Sequence, residues 1–93
     1  RSQDIKINET EIFWQDNLIS RFGSKILAAS FYPDSKHIIF QEATEIRIID
    51  LDGSNNVLLV SLKSNEPTAF TFQNNGKTLI YLDGGQIFAK TIR

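Results

Sequence analysis

His37 is the only histidine in the chain, and there is no cysteine. Metal binding or nucleophilic catalysis would rest on this one imidazole and on carboxylates held close to it. His37 stands where a turn passes into a strand, and it reads as a structural or solvent-facing residue. None of the serines lies in a G-x-S-x-G elbow. Asp50, Asp52, Gly53 and Asn55 suggest a calcium loop, but the alternating ligands and later glutamate of an EF-hand are not at the right spacing. The plainer reading is a hairpin loop whose Asp and Asn side chains cap backbone groups. Asp83-Gly84-Gly85 has the glycines of a phosphate loop, but its carboxylate would repel phosphate, so it reads as a hairpin. Asn8-Glu9-Thr10 is an N-x-T sequon, which has meaning only in a secretory eukaryotic setting. Trp14, Phe13, Phe22, Tyr32, Phe70 and Phe72 could line a binding surface; packing is the reading for all but Trp14 and Tyr32. No catalytic residue, metal ligand or cofactor site is assigned, and the chain reads as not an enzyme.

Composition narrows the partners. The net charge is −1, with both signs scattered and no basic face, so there is no electrostatic case for nucleic acid. No apolar run approaches a membrane span, and the polar opening RSQDIKINET is not a signal peptide. Without cysteine there are no disulfides, and the redox compartment stays undecided. The 93 residues allow one small domain at most, whose own core is marginal.

The elements that must position these residues are strands. Helical periodicity is absent, and short apolar runs alternate with turns. Strands are predicted over Asp4–Asn8, Glu11–Gln15, Leu18–Phe22, Ile26–Tyr32, His37–Gln41, Ile46–Leu51, Val57–Leu62, Ala69–Gln73, Leu79–Leu82 and Gln86–Ile92. Asp16-Asn17, Pro33-Asp34-Ser35, Asp52 to Asn56, Asn74-Asn75-Gly76 and Asp83-Gly84-Gly85 supply the turn chemistry. Ten short strands at hairpin spacing make an all-β, antiparallel fold.

A shift of 41 residues superposes much of the chain on itself. Ser20 meets Ser61, Ala28 meets Ala69, Phe31 meets Phe72, Lys36 meets Lys77, Ile39 meets Ile80, and Glu45-Ile46 meets Gln86-Ile87. A period near 40 with four strands per period is the signature of propeller blades. The competing reading is a β-sandwich with two similar hairpins. Ile38 to Phe40, Val57 to Val60 and Leu79 to Leu82 are apolar on both sides of the pleat, which favours sheets covered on both faces.

The run Ala29-Ser30-Phe31-Tyr32-Pro33-Asp34-Ser35-Lys36-His37-Ile38-Ile39-Phe40, followed by Ile46 to Gly53, resembles the WD40-like repeat of TolB-type β-propellers. Tyr32 and Ser35 depart from the Ser and Gly of that repeat, and Gln73, Asn74 and Asn75 replace Ser, Pro and Asp in the second copy. The wording is also similar to propeller tails of bacterial surface proteins that carry PEGA domains, which implies an extracytoplasmic or cell-surface setting in a bacterium. The resemblance implies four-stranded antiparallel β-propeller blades, about two and a half of them: an incomplete blade over 1–25, a complete one over 26–65 and an incomplete one over 66–93. Such an incomplete propeller needs partner blades. They would come from self-association into a closed ring or from the remainder of a longer chain. The expected role is a non-catalytic scaffold that binds a protein or ligand. Recognition would fall to blade-end loops carrying Asp34, Lys36 and His37, and Asn74, Asn75 and Lys77, with Glu42 to Glu45 and Asp83 to Gln86 as further candidates. The alternative is the propeller lobe of a prolyl-oligopeptidase-type hydrolase, with its chemistry in another domain.

Overall fold

The computed structural model describes residues 5–92. It contains ten strands: β1 (Ile5–Asn8), β2 (Glu11–Trp14), β3 (Asn17–Arg21), β4 (Ile26–Phe31), β5 (His37–Glu42), β6 (Glu45–Asp50), β7 (Val57–Ser61), β8 (Phe70–Gln73), β9 (Thr78–Asp83) and β10 (Gln86–Thr91). All pairing is antiparallel and between sequence neighbours. The strands form three sheets, β1-β2-β3, β4-β5-β6-β7 and β8-β9-β10. The described residues contain no helix, and therefore none long enough to cross a membrane.

Side-chain alternation along β5 explains why its sequence is apolar throughout. Ile38 and Phe40 join Ile26 and Ile49 in a core against Ile12 and Ile19 of the first sheet. Ile39, between them in the chain, joins Ile46, Val60 and Leu62 in a second core against Leu79 of the third sheet. The middle sheet is covered on both faces, so neither parity of β5 needs to be polar. Ile38, Ile39 and Phe40 are all fully buried. Burial of each such side chain is worth about 1.5–3 kcal/mol, enough to hold three thin sheets in a stack.

The sheets repeat one another in contacts as well as in sequence. Phe22 N–H donates to the Thr10 carbonyl, and Leu62 N–H donates to the Thr44 carbonyl. The two bonds make Glu9-Thr10 the counterpart of Ala43-Thr44, and the 41-residue shift carries Ala43-Thr44 in turn to Gly84-Gly85. Each pair forms a two-residue hairpin, and Glu9, Ala43 and Gly84 all have positive φ at the first turn position. The strand that fills the outer edge in each of the first two sheets makes a register shift at the matching place, between Ile12 and Phe13 and between Ile46 and Arg47.

Strands β2 to β10 each differ by one residue at one or both ends from the sequence reading, and two of these differences move a turn. The β2–β3 turn is Gln15-Asp16, not Asp16-Asn17. Asn17 pairs with Trp14, and Gln15 and Asp16 take the positive φ values of 52° and 68°. Asp83 belongs to β9, leaving Gly84-Gly85 as the hairpin. The predicted start of the first strand at Asp4 lies outside the described residues.

Candidate functional site

The β4–β5 turn and the β8–β9 turn lie at the same end of the stack, because each joins the first two strands of its sheet. Tyr32 ties them together. Its hydroxyl donates to the Gly76 carbonyl at 2.5 Å, and its ring packs edge-on against Phe72 (centroids 4.8 Å) and His37 (6.1 Å). The candidate loop residues Asp34, Lys36 and His37 are thereby held beside Asn74, Asn75 and Lys77.

Most of these residues are occupied in building the turns. Asp34 Oδ1 accepts from the Lys36 N–H at 2.8 Å, and Asp34 Oδ2 lies 2.6 Å from His37 Nδ1. The other ring nitrogen, Nε2, faces Asp50 Oδ1 at 2.9 Å, so His37 pins the turn to β6. Both contacts are hydrogen bonds when both nitrogens carry protons. A histidine with each nitrogen committed to a carboxylate has no free atom to activate a nucleophile. Asn74 and Asn75 hold positive φ (56° and 57°), a region asparagine tolerates, and Asn74 Nδ2 donates to Thr78 Oγ1. Lys36 and Lys77 are exposed, and no ion pair among the described residues involves them.

The loop of Asp50, Asp52, Gly53 and Asn55 is self-contained. Asp52 Oδ1 accepts from the N–H and hydroxyl of Ser54, and Asn55 Nδ2 donates to Asp50 Oδ2. Those Ser54 bonds, side chain first, hold the Asp52 carboxyl below its usual range against a small desolvation effect. Among the described residues no group of three or more His, Cys, Asp or Glu is placed to hold a metal ion. Asn8 ends β1, with its amide 3.4 Å from Glu11 Oε1.

Trp14 and Tyr32 both pack across a sheet boundary. Trp14 stands edge-on to Phe31 at 5.8 Å and belongs to the first core. Tyr32 still borders an open trench of about 420 Å³, whose apolar wall is Ile48, Val57, Leu59 and Ile92.

Gln41, Glu42 and Asp83 carry a role the sequence reading did not assign. At the opposite end of the stack, chain segments cross from the last strand of one sheet to the first of the next. Glu42 Oε2 accepts from Ser24 N–H in the first crossover, and the Asp83 carboxylate accepts from Lys63 and Ser64 N–H in the second. The two acids are 41 residues apart, so the clasp is part of the repeat. Gln41 is fully buried, and its amide holds Glu66 and Thr68 on either side of Pro67. The candidate loops 42–45 and 83–86 are thus partly consumed in fastening the crossovers. The signal in the sequence is a glutamine inside an apolar strand where the second copy has Leu82.

No family model matches the chain, and no curated protein or solved structure matches it.

Two expected results belong to this end of the molecule. Gly76 has φ +87°, and an added Cβ would lie 2.7 Å from the Tyr32 hydroxyl oxygen and 2.8 Å from Cζ of its ring. Gly76→Ala should cost roughly 2–4 kcal/mol in denaturant unfolding, from positive-φ strain plus overpacking. In Tyr32→Ala the clash is gone, so the same substitution should cost only the strain; additive costs would refute the contact. The second result concerns acid. Desolvation raises the Asp34 carboxyl, but the Lys36 N–H and the His37 ring together outweigh it and leave the group below 3.8. A depressed folded-state value means the stabilisation is present above the unfolded value and is lost as pH falls through the folded one. Asp34→Asn should flatten the stability curve below about pH 4, as read by thermal melts across pH.

Proposed function

We propose that the chain is a non-catalytic scaffold, consecutive blades of a TolB-like β-propeller that present the 33–37 and 74–77 loops to a protein or ligand partner. One observation carries this reading. The face that each sheet turns to its successor is built from equivalent positions: Ile39 and Ile46 in the second sheet correspond to Ile80 and Ile87 in the third. Ile39 and Ile46 are fully buried under the third sheet, whereas Ile80 is half-buried, Ile87 is 74% exposed, and Leu82, in the place of Gln41, is 38% exposed. A face with matching isoleucines, covered in one copy and partly open in the next, calls for a further sheet radially beyond it. That sheet comes from another copy or from a longer chain.

The test is the mass of the folded chain by light scattering and sedimentation. The expected result is a species at a multiple of 10.6 kDa. Ile80→Lys with Ile87→Lys should return it to the monomer without loss of strand signal. A folded, monodisperse monomer whose solubility the double variant does not improve would overturn the scaffold reading.

A further inference from the structure

Asn75-Gly76 is the only place in the chain where glycine follows asparagine. Such a pair is reactive for a steric reason. With no Cβ on the following residue, its backbone nitrogen can reach the asparagine side-chain carbonyl carbon and close a five-membered ring. The turn gives the pair an uneven setting: Asn75 is exposed, and Gly76 beside it is buried. Among the described residues no hydrogen bond holds the Asn75 side chain, whereas the amides of Asn55 and Asn74 are bonded to Asp50 and Thr78. The two Asp-Gly pairs of the chain are committed elsewhere: Asp52 accepts from Ser54, and Asp83 accepts from Lys63 and Ser64.

The attacking nitrogen is restrained. The Gly76 N–H donates to the Gln73 carbonyl at 3.1 Å, and the Gly76 carbonyl accepts from the Tyr32 hydroxyl. Asn75 at φ 57° and Gly76 at φ 87° form a left-handed pair that these bonds hold in place. Ring closure needs the N–H out of its bond and the peptide between the two residues turned toward Asn75 Cγ. The turn must therefore open first. Tyr32, itself packed edge-on against Phe72, opposes that opening.

We propose that Asn75 is a self-modification site, at which the chain converts asparagine to aspartate and isoaspartate, and that the Tyr32 hydroxyl sets the pace by holding Gly76. In the open turn the Gly76 nitrogen gives its proton to solvent and attacks Asn75 Cγ. The N–Cγ bond forms, and Nδ2 leaves as ammonia with a proton taken from water. Water then opens the cyclic imide. Attack at Cγ restores the ordinary main chain with an aspartate side chain. Attack at the main-chain carbonyl gives isoaspartate, whose main chain runs through Cβ and Cγ. Either product places a carboxylate in the turn that carries Lys77. Isoaspartate also lengthens the main chain by one methylene before Gly76, so the bonds to Gln73 and Tyr32 no longer fit together. The conversion thus unfastens the second sheet from the third at this end.

The experiment follows the intact chain at mildly alkaline pH by peptide mass mapping, with isoaspartyl methyltransferase labelling as a second readout. A free peptide with the sequence of Phe72 to Thr78 gives the unprotected rate. Asn75 should convert before any other asparagine, and about ten-fold or more slowly than in the peptide. Tyr32→Phe keeps the ring and removes the hydroxyl, and should speed conversion by about two- to ten-fold, the change in opening that one hydrogen bond accounts for. Should that variant unfold, the parent chain decides: in low urea its conversion should rise in step with amide exchange at Gly76 and not with exchange at Ile39. Conversion as fast as in the peptide would mean that the fold does not hold the pair, and the proposal would fail. An unchanged or unmeasurable rate in folded Tyr32→Phe, a rate that tracks Ile39, or earlier conversion at Asn55 or Asn56 would equally overturn it.

Discussion

Phe40→Ala should be the most damaging single truncation in the molecule, and its damage should be directional. Phe40 is fully buried, with its ring 4.7 Å from that of Phe22, in the core shared by the first and second sheets. Removing a buried phenylalanine costs about 3–5 kcal/mol through lost transfer energy and the cavity left behind. A chain of this length holds roughly 5–14 kcal/mol in all, so the loss is a large share of the total. Its neighbour Ile39 is equally buried but faces the third sheet. Ile39→Ala should cost about 2–5 kcal/mol. Exchange protection separates the two: Phe40→Ala should deprotect β2 and β3 first, and Ile39→Ala should deprotect β8 and β9 first. Equal loss in both outer sheets from either variant would mean that the two cores open as one unit, and the picture of separable layers would fail.

That one-residue reversal of partners was largely readable from the sequence. Continuous apolar runs at 38–40 and 79–82, together with the 41-residue period, sufficed to group ten strands into sheets of three, four and three, because both signals are local and repeated. Turn placement was legible to within a residue. Gln15 carries no turn signature, and it takes positive φ only because the pairing of Trp14 with Asn17 imposes it. The contacts that fasten the ends were not legible. The Asp50 partner of His37 is thirteen residues away, and the Gly76 partner of Tyr32 is 44 residues away across a sheet boundary. The residue types were therefore visible, but the pairings that turn a lone histidine into a clamp were not. The partly open face of the third sheet follows a similar logic. The sequence shows that the positions repeat, and only the stack shows which copies are covered.

Gln41 gives the second large effect, and it tests how the crossovers are held. Its Nε2 donates to the carbonyls of Ala43 (3.0 Å) and Glu66 (2.9 Å), and its Oε1 accepts from the Thr68 N–H at 2.9 Å. The segment between β7 and β8 is short of partners of its own, since Pro67 has no N–H to offer. Gln41→Leu matches the aliphatic residue at the same position of the third sheet and keeps most of the volume. On packing alone it should be neutral. The polar groups argue otherwise: three backbone atoms lose their partner, and each one left dry costs about 1–3 kcal/mol. Relaxation of the segment toward water recovers part of this, so a net loss of about 2–4 kcal/mol is expected. Gln41→Glu should be worse still, because a carboxylate oxygen would then face two carbonyls. The distinguishing readout is limited proteolysis. Both variants should become cleavable between Lys63 and Thr68 under conditions where the sheets stay intact, since the crossover is then held only near its ends, by Asp83 on Lys63 and Ser64 and by the Thr68 hydroxyl on the Leu82 carbonyl. If Gln41→Leu is as stable as the parent and equally resistant there, the glutamine is only filling space, and the acidic clasps at Glu42 and Asp83 suffice to lock the sheets together.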